Sequence, residues 1–278
     1  MKPIISAQEL LELSNNQLLL FDASNNPNAK ENYLKKHLKG TYFIDINTEL
    51  ADIKEDLSNG GRHPLPTLEQ FSKVLSKFGV TPDTHIIIYD HANGANAAAR
   101  FWWMLKSVDH KKVQVLDGGI QDAIKTGFPI NSGEEKLSKK TNYVYKNWKL
   151  PIASINDVER LSQQKNGYII DVREAQRYNG ETEPFDPIAG HIPDAHTIPF
   201  SENLTDNGLF LSQETLQKKY APIFEKYKPE EIVVHCGSGV TACHTLLAMN
   251  YAGFEIPSLY VGSWSEWCRN NKEMITKK

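Results

Sequence analysis

Short aliphatic runs, each closing on a polar residue, recur along the chain. LLLF (18–21) closes on Asp22, IIIY (86–89) on Asp90, YII (168–170) on Asp171, and IVV (232–234) on His235 and Cys236. Short apolar runs with many β-branched residues read as buried strands of a parallel sheet, each delivering a polar residue to the sheet edge. Elsewhere the period changes. AAARFWWML (97–105) is apolar at helical spacing, as are Val240, Cys243, Leu246, Leu247 and Tyr251, with Gly253 as a stop. VQVL (113–116) is a further strand, followed by the turn Asp117-Gly118-Gly119. This alternation predicts an α/β class with a mainly parallel sheet flanked by helices.

The pattern occurs twice. Asp171 follows Asp22 by 149 positions, His191 follows His37 by 154, Cys236 follows Asp90 by 146, and Gly262 follows Gly118 by 144. HIPDAHTIPF (191–200) also aligns without a gap on HLKGTYFIDI (37–46). Anchors in the same order at nearly constant separation read as a duplicated domain. The polar stretch NSGEEKLSKKTN (131–142), followed by NWKLP up to Pro151, reads as a linker. The expected organisation is a domain over 1–130, a linker over 131–153 and a second domain over 154–278. The first copy holds Asp90 where the second holds Cys236, so one active site is expected, carried by the second domain and lined by both halves.

Composition narrows the function. In 278 residues the apolar share is 40%, the charged share 23% and the net charge −3, with no long basic run. That argues against dedicated nucleic-acid or membrane-surface binding, each of which needs a concentrated positive face. No segment approaches the roughly 18 apolar residues of a membrane span, and MKPIISAQELLELSNN does not read as a secretion leader. Three cysteines, at 236, 243 and 268, make no disulfide framework and lack zinc-finger spacing with histidines. A cytoplasmic protein without metal or other cofactor is expected.

Cys236 is the candidate nucleophile. Strand, tight turn and helix in succession place its thiol at a helix mouth, where unpaired N–H groups and the helix dipole favour the thiolate. Gly237 and Gly239 let the backbone curl around the sulfur, Ser238 offers a hydroxyl, and Val240 and Thr241 complete the loop. Cys243 and Cys268 fit the commoner role of small buried hydrophobes. His235 alternates to the other side of its strand and reads as packing, as do Trp102, Trp103, Trp264 and Trp267. His37 and His191 share one repeat position and read as fold residues.

The loop CGSGVT (236–241), the tandem repeat, GHIPDA (190–195) and GSWSEW (262–267) together resemble the two-domain rhodanese family, and within it the 3-mercaptopyruvate sulfurtransferase branch. The resemblance implies tandem rhodanese-like domains and a ping-pong reaction. The loop cysteine takes a sulfane sulfur from a small anionic donor, becomes a persulfide, and passes the sulfur to cyanide or to a thiol such as thioredoxin or a small thiol. It places the donor-binding arginine at Arg177, in DVREAQRYNGETEP, where a guanidinium suits a carboxylate. Arg173 is expected to orient loops by ion pairing. The branch's second arginine falls on Asp186, a departure that weakens mercaptopyruvate as donor unless Arg62 or another first-domain cation substitutes. The branch's serine–histidine–acid relay falls on Ser238 and His63, but on Asn47 for the acid, with Asp45 a neighbour on the same face if that segment is extended. Three other readings compete. These are a thiosulfate-specific enzyme, a non-catalytic persulfide carrier, and a cysteine phosphatase, whose loop arginine six residues past the cysteine is here Ala242.

Overall fold

A computed structural model describes residues 1–13, 18–137 and 139–276. The chain forms two compact units. One contains Met1–Ala51, Pro66–Lys149 and Asp206–Phe210, the other Asp52–Leu65, Leu150–Thr205 and Leu211–Lys278.

In the first unit the strands are β1 (Ile4–Ile5), β2 (Leu18–Asp22), β3 (His37–Leu38), β4 (Thr41–Phe43), β5 (His85–Tyr89), β6 (Val113–Leu116) and β7 (Ile130–Asn131). Five of them form a parallel sheet in the order β1-β6-β5-β2-β4, and β3 and β7 pair separately and antiparallel. All five residues of β5 are buried, which is why IIIY carries no polar alternation. The helix Ala97–Ser107 follows the Asp90 loop and is buried except at Lys106. Phe21 meets Phe78 and Phe101 edge-on, at centroid distances of 5.1 and 5.2 Å.

The second unit holds β8 (Ile152–Ala153), β9 (Tyr168–Asp171), β10 (Ala195–Thr197), β11 (Ile232–His235) and β12 (Ser258–Tyr260). They form a parallel sheet in the order β8-β12-β11-β9-β10. Numbered along each unit's own chain, both sheets run first, fifth, fourth, second, third. One face packs Val158, Ile169, Ile192, Val233, Tyr260, Trp264 and Trp267 into a core. Arg173 lies over the Trp264 ring, 4.9 Å from its centroid, and the indole N–H donates to the Ile188 carbonyl.

The aligned decapeptides behave alike in each unit. β4 and β10 occupy matching positions within them. His37 stacks on Tyr33, with Nδ1 2.8 Å from the Tyr33 carbonyl oxygen, and His191 stacks on Tyr178, with Nδ1 2.8 Å from the Tyr178 carbonyl oxygen. Each histidine ties a helix to the segment leading into a strand, the fold role expected of them.

Three sequence expectations meet a different arrangement. Residues 131–149, read as linker, pack with the first unit, where Tyr143 is buried and Tyr145 and Trp148 ring Phe71. Residues 52–65 belong with the second unit, so Arg62 and His63 sit there although chain order placed them in the first half. Asp45 is not on an extended strand with Asn47. The chain turns at 46–49, and Asp45 Oδ1 accepts the N–H groups of Asn47 and Thr48 at 2.8 and 2.9 Å. That carboxylate holds a local turn, a common use of aspartate where backbone donors lack a helix or sheet partner.

Candidate active site

β11 is central in its sheet and ends at His235, so Cys236 emerges at the carboxyl edge and the loop to the helix Ala242–Tyr251 curls there. The loop is pinned from outside. Cys236 N–H donates to Ser263 Oγ at 3.1 Å, the Cys236 carbonyl accepts from Trp264 N–H at 3.0 Å, and the Gly237 carbonyl accepts from Ser265 N–H at 2.9 Å. Two of its carbonyls are thus tied to the 263–265 segment. Among the described residues the N–H groups of Ser238 and Val240 have no hydrogen-bond partner. Gly239 has φ 71°, a backbone that a side chain strains, and a Cβ there would collide with the Val261 carbonyl.

The first unit shows what such a loop wants. Asp90 Oδ1 accepts the N–H groups of Ala92 and Gly94, each at 2.9 Å, and Oδ2 those of Asn96 and Ala98 at 3.1 and 2.9 Å. The repeat offset carries Ala92 and Gly94 onto Ser238 and Val240. One cradle is filled by its own carboxylate. In the other, the residue at the Asp90 position is a thiol, and its N–H donors suit an anionic sulfur.

Cationic groups cover the loop. A Cβ on Gly237 would lie 3.1 Å from Arg177 Nη2, 3.2 Å from Arg62 Nη2 and 3.3 Å from Arg177 Nη1. Glu183 takes Nε and Nη2 of Arg177, at 3.2 and 2.7 Å for the nearest oxygens, and Asp186 pairs with Arg62 Nη1. Arg177 Nη1 and Arg62 Nη2 therefore have no hydrogen-bond partner among the described residues. Phe185 lies against both guanidiniums, at 5.4 Å from Arg62 and 5.2 Å from Arg177. Arg173 is structural, as expected, bonding Asp171 through Nε and Nη2, Glu183 through Nη1 and the Gly190 carbonyl through Nη2. Burial opposes its charge, but Asp171, Glu183 and Cys236 nearby raise its pKa above the ordinary value.

His63 Nδ1 stands 2.9 Å from Ser238 Oγ. His235 is fully buried, with Nδ1 3.2 Å from the Cys236 carbonyl oxygen, and burial lowers its pKa despite Asp171 at 3.8 Å. It packs under the loop as the strand alternation implied. Cys268 is buried, and desolvation together with Asp186 pushes its thiol up to about 11, the inert behaviour expected of it. Cys243 is buried inside its helix. Val240 is buried and Thr241 half-buried, both on the loop itself.

Sequence reasoning missed Glu183, Phe185 and Arg269. Glu183 lies six positions past Arg177, a loop spacing with no secondary-structure meaning. Arg269 follows the last helix and reaches Asp186 only through the fold, at 2.7 Å.

Fold and site together define a rhodanese-like protein. The chain belongs to that family, with one rhodanese-like domain over residues 6–125 and a second over 154–270, and it is a sulfurtransferase. It is 36% identical to a probable 3-mercaptopyruvate sulfurtransferase of Pseudomonas aeruginosa, over 98% of this chain and 97% of that protein. It is 32% identical to the thiosulfate sulfurtransferase of Gallus gallus, over 90% and 86%. The crystal structure of SseA from Escherichia coli, described as a 3-mercaptopyruvate sulfotransferase, superposes with a TM-score of 0.79 at 28% identity, covering 96% of this chain and all of that one.

Proposed function

We propose that Cys236 takes a sulfane sulfur from 3-mercaptopyruvate, holds it as a persulfide, and passes it to a thiol acceptor. The observation that supports this best is the convergence over one loop of a buried thiol, two guanidiniums each with a donor to spare, and the Ser238–His63 pair. Arg177 Nη1 and Arg62 Nη2 suit the two oxygens of the donor carboxylate.

In the first half-reaction the Cys236 thiolate attacks the donor sulfur. A sulfur–sulfur bond forms, the donor carbon–sulfur bond breaks, and its electron pair passes to carbon as the enolate of pyruvate. The proton that the donor thiol carried is delivered to that enolate, with Ser238 and His63 as the path, leaving pyruvate and the persulfide anion. The N–H groups of Ser238 and Val240 stabilise the persulfide charge. In the second half a thiol, such as thioredoxin or a small thiol, takes the outer sulfur and returns Cys236 to the thiolate. A reducing cytoplasm suits a chain whose three cysteines are all free and buried. Among the described residues no helix is long and apolar enough to cross a membrane.

Intact-mass measurement after incubation with 3-mercaptopyruvate tests the reading. The protein should gain one sulfur atom and Cys236→Ser none; an equal gain by the variant would mean that Cys236 is the wrong residue. Arg177→Ala should raise the donor KM about tenfold or more, and an unchanged KM would remove the anchoring role.

A further inference from the structure

We propose that Asp186 selects the donor by charge, matching the site to a monoanionic thiol-bearing 2-oxo acid and disfavouring a dianion such as thiosulfate. This rests on the anchoring of the donor by Arg62 and Arg177 proposed above. Asp186 stands in the middle of the donor cations with its side chain fully buried. Its Oδ2 pairs with Arg62 Nη1 and lies 3.9 Å from Arg177 Nη2, while its Oδ1 accepts from Arg269 Nη1 at 2.7 Å. Although burial raises its pKa, the hydrogen bonds from Arg62 and Arg269 outweigh that and hold it below the ordinary carboxylate value. A buried carboxylate in a site for anions is costly unless it is fully paired, and this one is paired by the groups that would bind the donor.

The charge count gives the consequence. The connected network holds Arg62, Arg173, Arg177 and Arg269 against Asp171, Glu183 and Asp186, so its one surplus positive charge is balanced by the Cys236 thiolate. A monoanion brings a single carboxylate, which Arg177 Nη1 and Arg62 Nη2 can take, whereas the second charge of a dianion has no counter-charge in the network and meets the repulsion of Asp186. Asp186 also aims Arg62. With Nη1 tied back, Nη2 is left over Gly237, as is Arg177 Nη1, which brings two donors near one another for one carboxylate.

Asp186 is thus a positioning and selectivity residue that acts through Arg62 and Arg177. The test is kcat/KM for both donors, measured on one preparation each of the wild type, Asp186→Asn and Asp186→Ala, because the ratio between donors does not depend on the folded fraction. Both variants should raise the thiosulfate-to-mercaptopyruvate ratio by about tenfold or more, mainly through the thiosulfate KM. A ratio unchanged in both, or shifted only in Asp186→Ala, would overturn charge selection, since Asn removes the charge but keeps the shape. Arg62→Ala and Arg177→Ala, run alongside, separate this failure from that of the underlying reading. If neither changes the KM of either donor, the anchor itself is wrong.

Discussion

His63 Nδ1 and Ser238 Oγ are 2.9 Å apart although 175 positions separate them in the chain. Ser238 stands on the loop that carries Cys236 and His63 reaches it from the 52–65 segment, and the proposed work of the pair is proton delivery to a carbon leaving group. Ser238→Ala and His63→Gln should therefore lower mercaptopyruvate kcat about a hundredfold. Thiosulfate leaves as sulfite and needs no proton, so its kcat should fall less than about tenfold. Equal losses with both donors in steady-state assays would refute the relay.

Gly237 and Gly239 make different demands, which two alanine variants should separate. Gly237 does not have positive φ, and its missing Cβ leaves room for the Arg62 and Arg177 guanidiniums. Gly237→Ala should raise donor KM about tenfold while leaving the thermal midpoint within a few degrees. Gly239→Ala meets both strain and the Val261 carbonyl, and should cost about 2–3 kcal/mol of stability. Calorimetry and donor titration on the two proteins check the split.

Asp90 supports its own loop through four N–H bonds. Asp90→Ala leaves those donors unsatisfied and should destabilise the protein by about 2–4 kcal/mol. Because the carboxylate sits in the copy without the thiol, purified folded Asp90→Ala should still form the Cys236 persulfide. Denaturant unfolding and intact mass read the two outcomes.

Acid sensitivity should begin near neutrality. Burial lowers the pKa of His110, His191 and His235 from 6.5, against partial opposition from the Thr84 carbonyl, the Tyr178 carbonyl and Asp171 respectively. Above about pH 6.5 these rings are neutral folded and unfolded alike. As pH falls below that value the unfolded chain takes up protons first, so stability declines until the lowered folded values are reached. Urea midpoints should hold between pH 7.5 and about 6.5 and fall from there to pH 5, and His235→Gln should flatten part of that slope.

Periodicity was enough to find five of the ten strands of the two parallel sheets, because a buried parallel strand must be apolar throughout and a residue leaving its edge is free to be polar. LLLF, IIIY, VQVL, YII and IVV all lie in strands, and the ungapped decapeptide match, in which no strand was read, holds β4 and β10 at corresponding positions. The loop proposed to carry the nucleophile was legible for a related reason: close backbone curvature needs small residues in sequence, so the signal is written locally. The pairing around the proposed donor arginines was not. Arg62, Arg177, Arg269, Glu183 and Asp186 come from three separate stretches of chain, and their pairing follows no period. Asp186 read in isolation was a missing arginine. Folded, it is the carboxylate on which Arg62 and Arg269 converge, because a buried charge must find its partners in space, whatever their distance along the chain.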